Sequence, residues 1–154
     1  MFYVKVFSKL NDARVDYCVV GGLAVALHGA VRGTVDLDLA ISLDQKNLIQ
    51  VEKCLIELGL VSRIPVNAND IFKFREEYLT KKNLIAWSFV NPRRISEVVD
   101  VLINIDAKNF KKITKSLGKL KIPIISIEGL IALKKEAGRP QDLEDVRALE
   151  RIKS

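Results

Sequence analysis

Three aspartates stand where an apolar strand does not ordinarily tolerate them. Asp36 and Asp38 fall two apart in the run VDLDLAI at residues 35–41. Side chains on a strand alternate faces, so these two carboxylates share one face while Leu37, Leu39 and Ile41 share the other. At about 7 Å and an effective dielectric near 20, their repulsion is on the order of 2 kcal/mol. A bound divalent cation is the simplest relief, and hard carboxylate oxygens suit Mg²⁺ or Mn²⁺. Asp100 repeats the pattern in EVVDVLI, with Val98 and Leu102 on its own face. A lone aspartate there is unfavourable for strand propensity and costly if buried. If its strand lies beside the first, three carboxylates meet on one patch. That patch is what two divalent ions about 3.5–4 Å apart require for in-line phosphoryl or nucleotidyl transfer. The competing reading has Asp100 facing solvent or paired with Arg93 or Arg94.

The elements that must position these groups begin just upstream. VDYCVV at 15–20 is a β-branched and aromatic run of the kind that forms a buried strand, and Gly21-Gly22 ends it. A glycine pair lets backbone approach closely, and amides opening the next helix can cradle a phosphate. The spacing is neither a dinucleotide fingerprint nor a Walker loop: G-x-G-x-x-G is absent, and Gly33-Thr34 lacks the lysine. Taken alone, such a pair is simply a turn. LAVALHG then fits a two-turn helix closed by Gly29, and VRGT is a loop leading to the Asp36–Asp38 strand.

Around this unit the chain alternates helices and strands. Residues 3–14 have helical periodicity. Asp44 caps a helix whose stripe is Leu48, Val51, Leu55 and Leu58, ended by Gly59. LVSRI reads as a strand, residues 65–70 as a loop, and IFKFRE as a half-exposed strand. NLIAWSFV and ISEVVDVLI, separated by NPRR, form an antiparallel hairpin with a basic tip. KIPIIS reads as a last short strand, Ser126 as the cap of a helix over 127–137, and Gly138 as its break. Pro140 opens the final helix, with Asp142, Glu144 and Asp145 early and Arg147, Arg151 and Lys153 late, the order the helix dipole favours. No repeat or domain boundary is visible, so residues 1–154 read as a single α/β domain with a mixed sheet.

Bulk composition agrees. With 154 residues, 49% hydrophobic and 29% charged, the chain can bury a proper core without staples. Cys18 and Cys54 both sit in apolar patterns and read as small buried hydrophobes in a reducing compartment. Residues 1–14 lack a secretory leader pattern and the longest apolar stretch is too short for a bilayer, so a cytoplasmic location with no membrane association is expected. The net charge of +6 suits an anionic partner such as nucleotide or RNA.

Gly21, Gly22, Asp36, Asp38 and Asp100 together resemble the signature of the nucleotidyltransferase superfamily, the DNA polymerase β-like fold. That signature is a Gly-Gly or Gly-Ser turn, a short helix, an Asp-x-Asp strand, and a third carboxylate on a later strand. The fuller string GGLAVALHGAVRGTVDLDLAI is similar to the AbiEii/AbiGii-type branch known from toxin–antitoxin and phage-defence systems. That branch also carries a late lysine and a Gly-Arg-x-x-Asp-Leu segment, matched by Lys134 and by GRPQDLEDV with Gly138, Arg139, Asp142 and Asp145. Many members have an additional helical domain, for which 154 residues leave no room.

The resemblance implies a mixed β-sheet flanked by helices and a Mg²⁺- or Mn²⁺-dependent nucleotidyltransferase. It would move an NMP from an NTP to a hydroxyl on RNA or protein, in a toxin–antitoxin or phage-defence setting with a partner protein. Asp36, Asp38 and Asp100 would be catalytic and metal-ligating, with Asp100 assisting deprotonation of the acceptor. Gly21 and Gly22 would contact phosphates, and Lys134 would neutralise the leaving pyrophosphate unless it is a solvated helix lysine. A rival of another class is a catalytically silent member serving as the binding module of a two-component system. A small basic RNA-binding protein would explain the charge but not Asp-x-Asp.

Several residues carry two readings. Arg32 and Thr34 either contact nucleotide or pin their loop. His28 is a packed, hydrogen-bonded histidine or a catalytic one. Arg139 and Asp142 form a structural pair or line the nucleotide site. The lysines between 108 and 121 steer RNA or merely form a solvated face, and Trp87 is core or a base-stacking aromatic.

Overall fold

The run at residues 17–20 is buried throughout, as expected of a strand covered on both faces. In the computed structural model, which describes residues 1–154 except Arg32, Thr34 and Val35, it is strand β1 (Tyr17–Val20). It belongs to a mixed sheet that has seven strands among the described residues. The others are β2 (Leu37–Ile41), β3 (Val61–Ser62), β4 (Ala86–Asn91), β5 (Arg94–Asp106), β6 (Lys112–Leu117) and β7 (Leu120–Ile125). Their order is β3-β4-β5-β2-β1-β7-β6. β1 is antiparallel to β2 and parallel to β7, whereas β2 is parallel to β5. The pairs β4–β5 and β6–β7 are antiparallel hairpins.

Two sets of helices flank this sheet. α1 (Phe2–Asp12), α3 (Gln45–Glu57) and α4 (Ala68–Lys81) pack in series. α2 (Gly21–Leu27) packs on β1, β2 and β7 and meets α5 (Ile127–Ala137), which in turn packs on α6 (Pro140–Lys153). The core holds Leu10, Leu39, Leu48, Leu55, Ile71 and Phe89, all fully buried. Trp87 is core as well, its ring 4.7 Å from that of Phe89 and its indole N–H donating to Ser62 Oγ. Cys18 and Cys54 are buried free thiols, and burial pushes Cys18 up to about 11. Among the described residues, no helix is long and apolar enough to cross a membrane.

The sequence signals at the helix ends are realised. Asp44 accepts from the Asn47 amide at 2.9 Å, Ser126 caps α5 through the Gly129 amide at 3.2 Å, and Gly138 closes α5 at φ +67°. The tip of the β4–β5 hairpin is Pro92-Arg93, as the NPRR spacing predicts.

Two expectations need correction, and one strand falls where no element was expected. IFKFRE is not a strand but the first half of α4, and the preceding loop shortens accordingly. The Asn67 side chain accepts from the Asp70 amide while the Asp70 carboxylate accepts from the Asn67 amide. This reciprocal cap starts a helix, with Ile71 and Tyr78 packed inward two turns apart. The period-2 appearance of the segment coincides with a kink at Phe74, whose backbone (φ −116°, ψ 16°) departs from helical values. Next, the lysine-rich segment contains β6, an edge strand joined to β7 around Gly118 at φ +61°. Its mostly exposed K-I-T-K-S-L has no buried face to give it a hydrophobic signature. Finally, β2 begins at Leu37, so Asp36 precedes the strand rather than sharing its pleat.

Candidate active site

Asp38 and Asp100 are direct register partners on the adjacent parallel strands β2 and β5. Neighbouring strands lie about 4.8 Å apart, so the two carboxylates meet, and they share a hydrogen bond. The alternatives for Asp100, solvent or an arginine partner, are not what the fold shows. Arg94 pairs with Glu97, and Asp100 Oδ1 accepts a 2.5 Å hydrogen bond from Ser88 Oγ. Ser88 is the register partner of Asp100 on β4.

On its other side Asp38 pairs with Val20, the last residue of β1. The chain turns there directly into α2, whose first residue is Gly21. Gly21 has φ +70°, and a Cβ built on it would lie 2.1 Å from Asp38 Oδ2. Backbone conformation and contact thus both require glycine at this position. Gly22 is buried in the first turn of α2 and does not line the cleft. Asp36 is exposed at the entry to β2 and reaches the same cleft.

The electrostatics follow from this crowding. Burial pushes the Asp38 carboxyl up to about 6, helped by the negative charges of Asp100 and Asp36 and the hydrogen bond to Asp100, while Lys134 pulls the other way. A cleft of about 390 Å³ opens over these groups. Its polar lining includes Gly21, Asp36, Asp38, Asp100, Asn104, Lys134, Arg139 and Asp142; Ile85, Leu102, Leu130 and Leu133 add apolar surface.

Lys134 is not a solvated helix lysine. Its side chain is 9% exposed, with Nζ 3.2 Å from Asp142 Oδ1 and 3.1 Å from Asp145 Oδ2. Arg139 clasps Asp142 from the other side, Nε to Oδ2 at 2.6 Å, and this contact draws the Asp142 carboxyl down to about 2. Arg139 and Asp142 therefore form a pair, and both also line the cleft. His28 is the packed kind, its Nε2 donating to the Ile125 carbonyl at 2.8 Å. Arg32 and Thr34 lie outside the described residues.

Among the described residues, no group of three histidine, cysteine, aspartate or glutamate side chains is arranged to hold a metal ion unaided. Asp38 and Asp100 nevertheless present a pair of hard oxygen donors. Mg²⁺ is ordinarily held by one or two carboxylates, with substrate phosphates and water completing the shell. The donor chemistry fits such an ion. Sequence reasoning missed Ser88, because its role exists only through the β4–β5 register. It also missed that Asp142 and Asp145 enclose Lys134, although the acid-rich opening of α6 was visible.

Residues 4–154 match the family described as nucleotidyltransferase of unknown function (DUF6036). The chain belongs to this family. Among curated protein sequences none is significantly similar to this nucleotidyltransferase-family chain. Among solved structures, it resembles an antigenic nucleotidyltransferase-like protein from Paracoccidioides brasiliensis (TM-score 0.60, 18% identity, 96% of this chain and 73% of that one). It likewise resembles a Thermotoga maritima protein classed as a nucleotidyltransferase (TM-score 0.62, 16% identity, 93% and 86%). A third is ANT(2'')-Ia in complex with adenylyl-2''-tobramycin (TM-score 0.61, 12% identity, 97% and 89%). At these identities the likeness is one of fold, and it bears out the mixed sheet flanked by helices.

Proposed function

We propose that this protein is a divalent-metal-dependent nucleotidyltransferase that moves an NMP from an NTP to a hydroxyl on RNA or protein and releases pyrophosphate. The observation that carries this reading is the register pairing of Asp38 with Asp100 beside Gly21. Two carboxylates are forced together at a cleft, and at neutral pH a bound cation would offset their repulsion. Family membership and the adenylylated compound held by ANT(2'')-Ia support nucleotidyl transfer as the chemistry. The motif's likeness to the toxin–antitoxin and phage-defence branch supports a macromolecular acceptor and a partner protein, acting in the cytoplasm where NTPs are plentiful.

Mg²⁺ or Mn²⁺, held by Asp38 and Asp100 with Asp36 at the rim, would neutralise phosphate charge and favour ionisation of the attacking hydroxyl. The chain's own groups do the rest. Gly21 lets the Asp38 carboxylate lie directly against the backbone at the start of α2, in the space a side chain would take. The acceptor oxygen forms a bond to the α-phosphorus, the bond from that phosphorus to the α–β bridging oxygen breaks, and pyrophosphate departs with the electron pair. Asp100 accepts the hydroxyl proton on the oxygen not engaged by Ser88, whose hydrogen bond fixes the carboxylate's orientation.

The test is label transfer. The protein is incubated with each α-labelled NTP, Mg²⁺ or Mn²⁺, and total RNA or cell extract. Transfer to RNA or protein that disappears in Asp38→Ala and Asp100→Ala supports the enzyme. Absence of transfer, together with absence of metal-dependent NTP binding by calorimetry, makes the protein a silent binding module instead.

A further inference from the structure

Two cations face the cleft, and they are held very differently. Lys134 is enclosed, its charge shared between Asp142 and Asp145 at 3.2 and 3.1 Å. Arg139 touches the same Asp142, yet its side chain is 75% exposed while that of Asp142 is 2% exposed. The contact is fork-like, with Arg139 Nε 2.6 Å from Asp142 Oδ2 and Nη2 3.3 Å from Oδ1. The Arg139 amide also donates to Asp142 Oδ2, at 3.1 Å. Asp142 is itself immobilised by Lys134. The guanidinium is therefore anchored at one edge by a buried carboxylate. A guanidinium has five N–H donors in a rigid plane, and two atoms of it suffice for Asp142, so donors remain for a ligand. Arg139 also lines the cleft that holds Asp36, Asp38 and Asp100 and feels the charge of Asp38. A cation fixed in orientation, exposed, and set across a cleft from carboxylates complements a polyphosphate, which bridges metal-binding carboxylates to cationic side chains.

We infer that Arg139 is the residue that binds the β- and γ-phosphates of the nucleotide, and that Lys134 is a positioning residue that holds Asp142 and through it the guanidinium. This rests on the cleft being the nucleotide site proposed above. It assigns the polyphosphate to Arg139 instead of Lys134, which the motif alone would favour.

The test is calorimetric binding of ATP and of inorganic tripolyphosphate with Mg²⁺, for the wild type and for Arg139→Ala, Arg139→Lys and Arg147→Ala. Arg147 is an exposed α6 cation that does not line this cleft, so its variant controls for net charge. Losing charge-assisted hydrogen bonds should weaken both ligands in Arg139→Ala by about ten- to a hundredfold. Arg139→Lys should recover only part of this, and Arg147→Ala should remain near the wild type. Far-ultraviolet circular dichroism and Tm check that the Arg139 variants remain folded. Equal loss in Arg147→Ala, or wild-type affinity for both ligands in Arg139→Ala, overturns the assignment. A wild type that binds neither ligand overturns both this assignment and the nucleotidyltransferase reading. Arg139-dependent tripolyphosphate binding without label transfer in the preceding experiment keeps the assignment and removes only the enzymatic reading.

Discussion

Asp38 on β2 and Asp100 on β5 stand opposite each other in a parallel ladder, with Gly21 against the first and Ser88 against the second. Each neighbour has a definite job. Gly21 contributes absence of volume, and Ser88 contributes a hydrogen bond that fixes one oxygen of Asp100.

The raised Asp38 carboxyl makes a stability prediction whose sign can be worked out. The folded state holds the proton up to about pH 6, against an ordinary value of 3.8. Below pH 4 the group is protonated in both states and carries no penalty. Between 4 and 6 the unfolded state ionises first, so stability falls as pH rises, by roughly 2–3 kcal/mol from this group. Asp38→Asn should therefore be more stable than the wild type at pH 7.5 without metal, by at most that amount, and no more stable at pH 4. Urea titrations of both proteins at the two values read this. The same variant should lose label transfer.

Metal addition should show the complementary dependence. At pH 7.5 Asp38 is ionised, and millimolar Mg²⁺ should raise Tm by linkage to the folded state. At pH 5 Asp38 is mostly protonated, and the rise should shrink to near nothing. A Tm increase of equal size at both values, and retained in Asp38→Asn, would place the ion elsewhere.

Gly21→Ala should be damaging out of proportion to its size. The added methyl meets Asp38 Oδ2 and the residue must hold φ +70°, which together cost roughly 1–3 kcal/mol. Transfer activity should drop at least tenfold even at temperatures where circular dichroism reports a folded protein, because Asp38 is displaced.

Lys134→Met keeps the length of the side chain but leaves Asp142 and Asp145 buried without their shared cation. Breaking a buried ion network in this way costs about 3–5 kcal/mol, to be seen as a lowered urea midpoint. Pairing the change with Asp145→Asn should restore part of the loss, since one uncompensated charge is removed. A Lys134→Met protein as stable as the wild type contradicts the enclosed geometry.

Ser88→Ala tests the orientation of Asp100. Loss of a hydrogen bond to a charged group should cost about 1.5–3 kcal/mol if it is fully desolvated, and less here because Asp100 is only half-buried. In transfer assays kcat should fall more than KM changes, because the polyphosphate contact proposed above is at Arg139 and not at Asp100. Ser88→Thr, which keeps the hydroxyl, should retain more activity than the alanine variant.

Much of this molecule was legible locally. Asp44, Ser126, Gly138 and Pro140 announce helix ends because capping involves residues within a turn of one another. VDYCVV and VDLDLAI read as strands because their side chains leave the core as the only place for them. The Asp-x-Asp motif and the glycine pair were visible for the same reason. IFKFRE was misread because two-residue alternation and a kinked helix look alike over six positions, and the Asn67–Asp70 cap that decides between them has aspartate where a longer acid is more familiar. β6 was missed because an exposed edge strand carries no burial pattern. What only the tertiary structure decided is the meeting of distant side chains: the β2–β5 ladder that sets Asp38 against Asp100, the β4 register that brings Ser88 to it, and the packing of α6 on α5 that encloses Lys134 and leaves Arg139 outside. Those relationships depend on strand order and helix docking. Both are settled by the burial of the whole apolar surface at once, which no short stretch of the chain encodes.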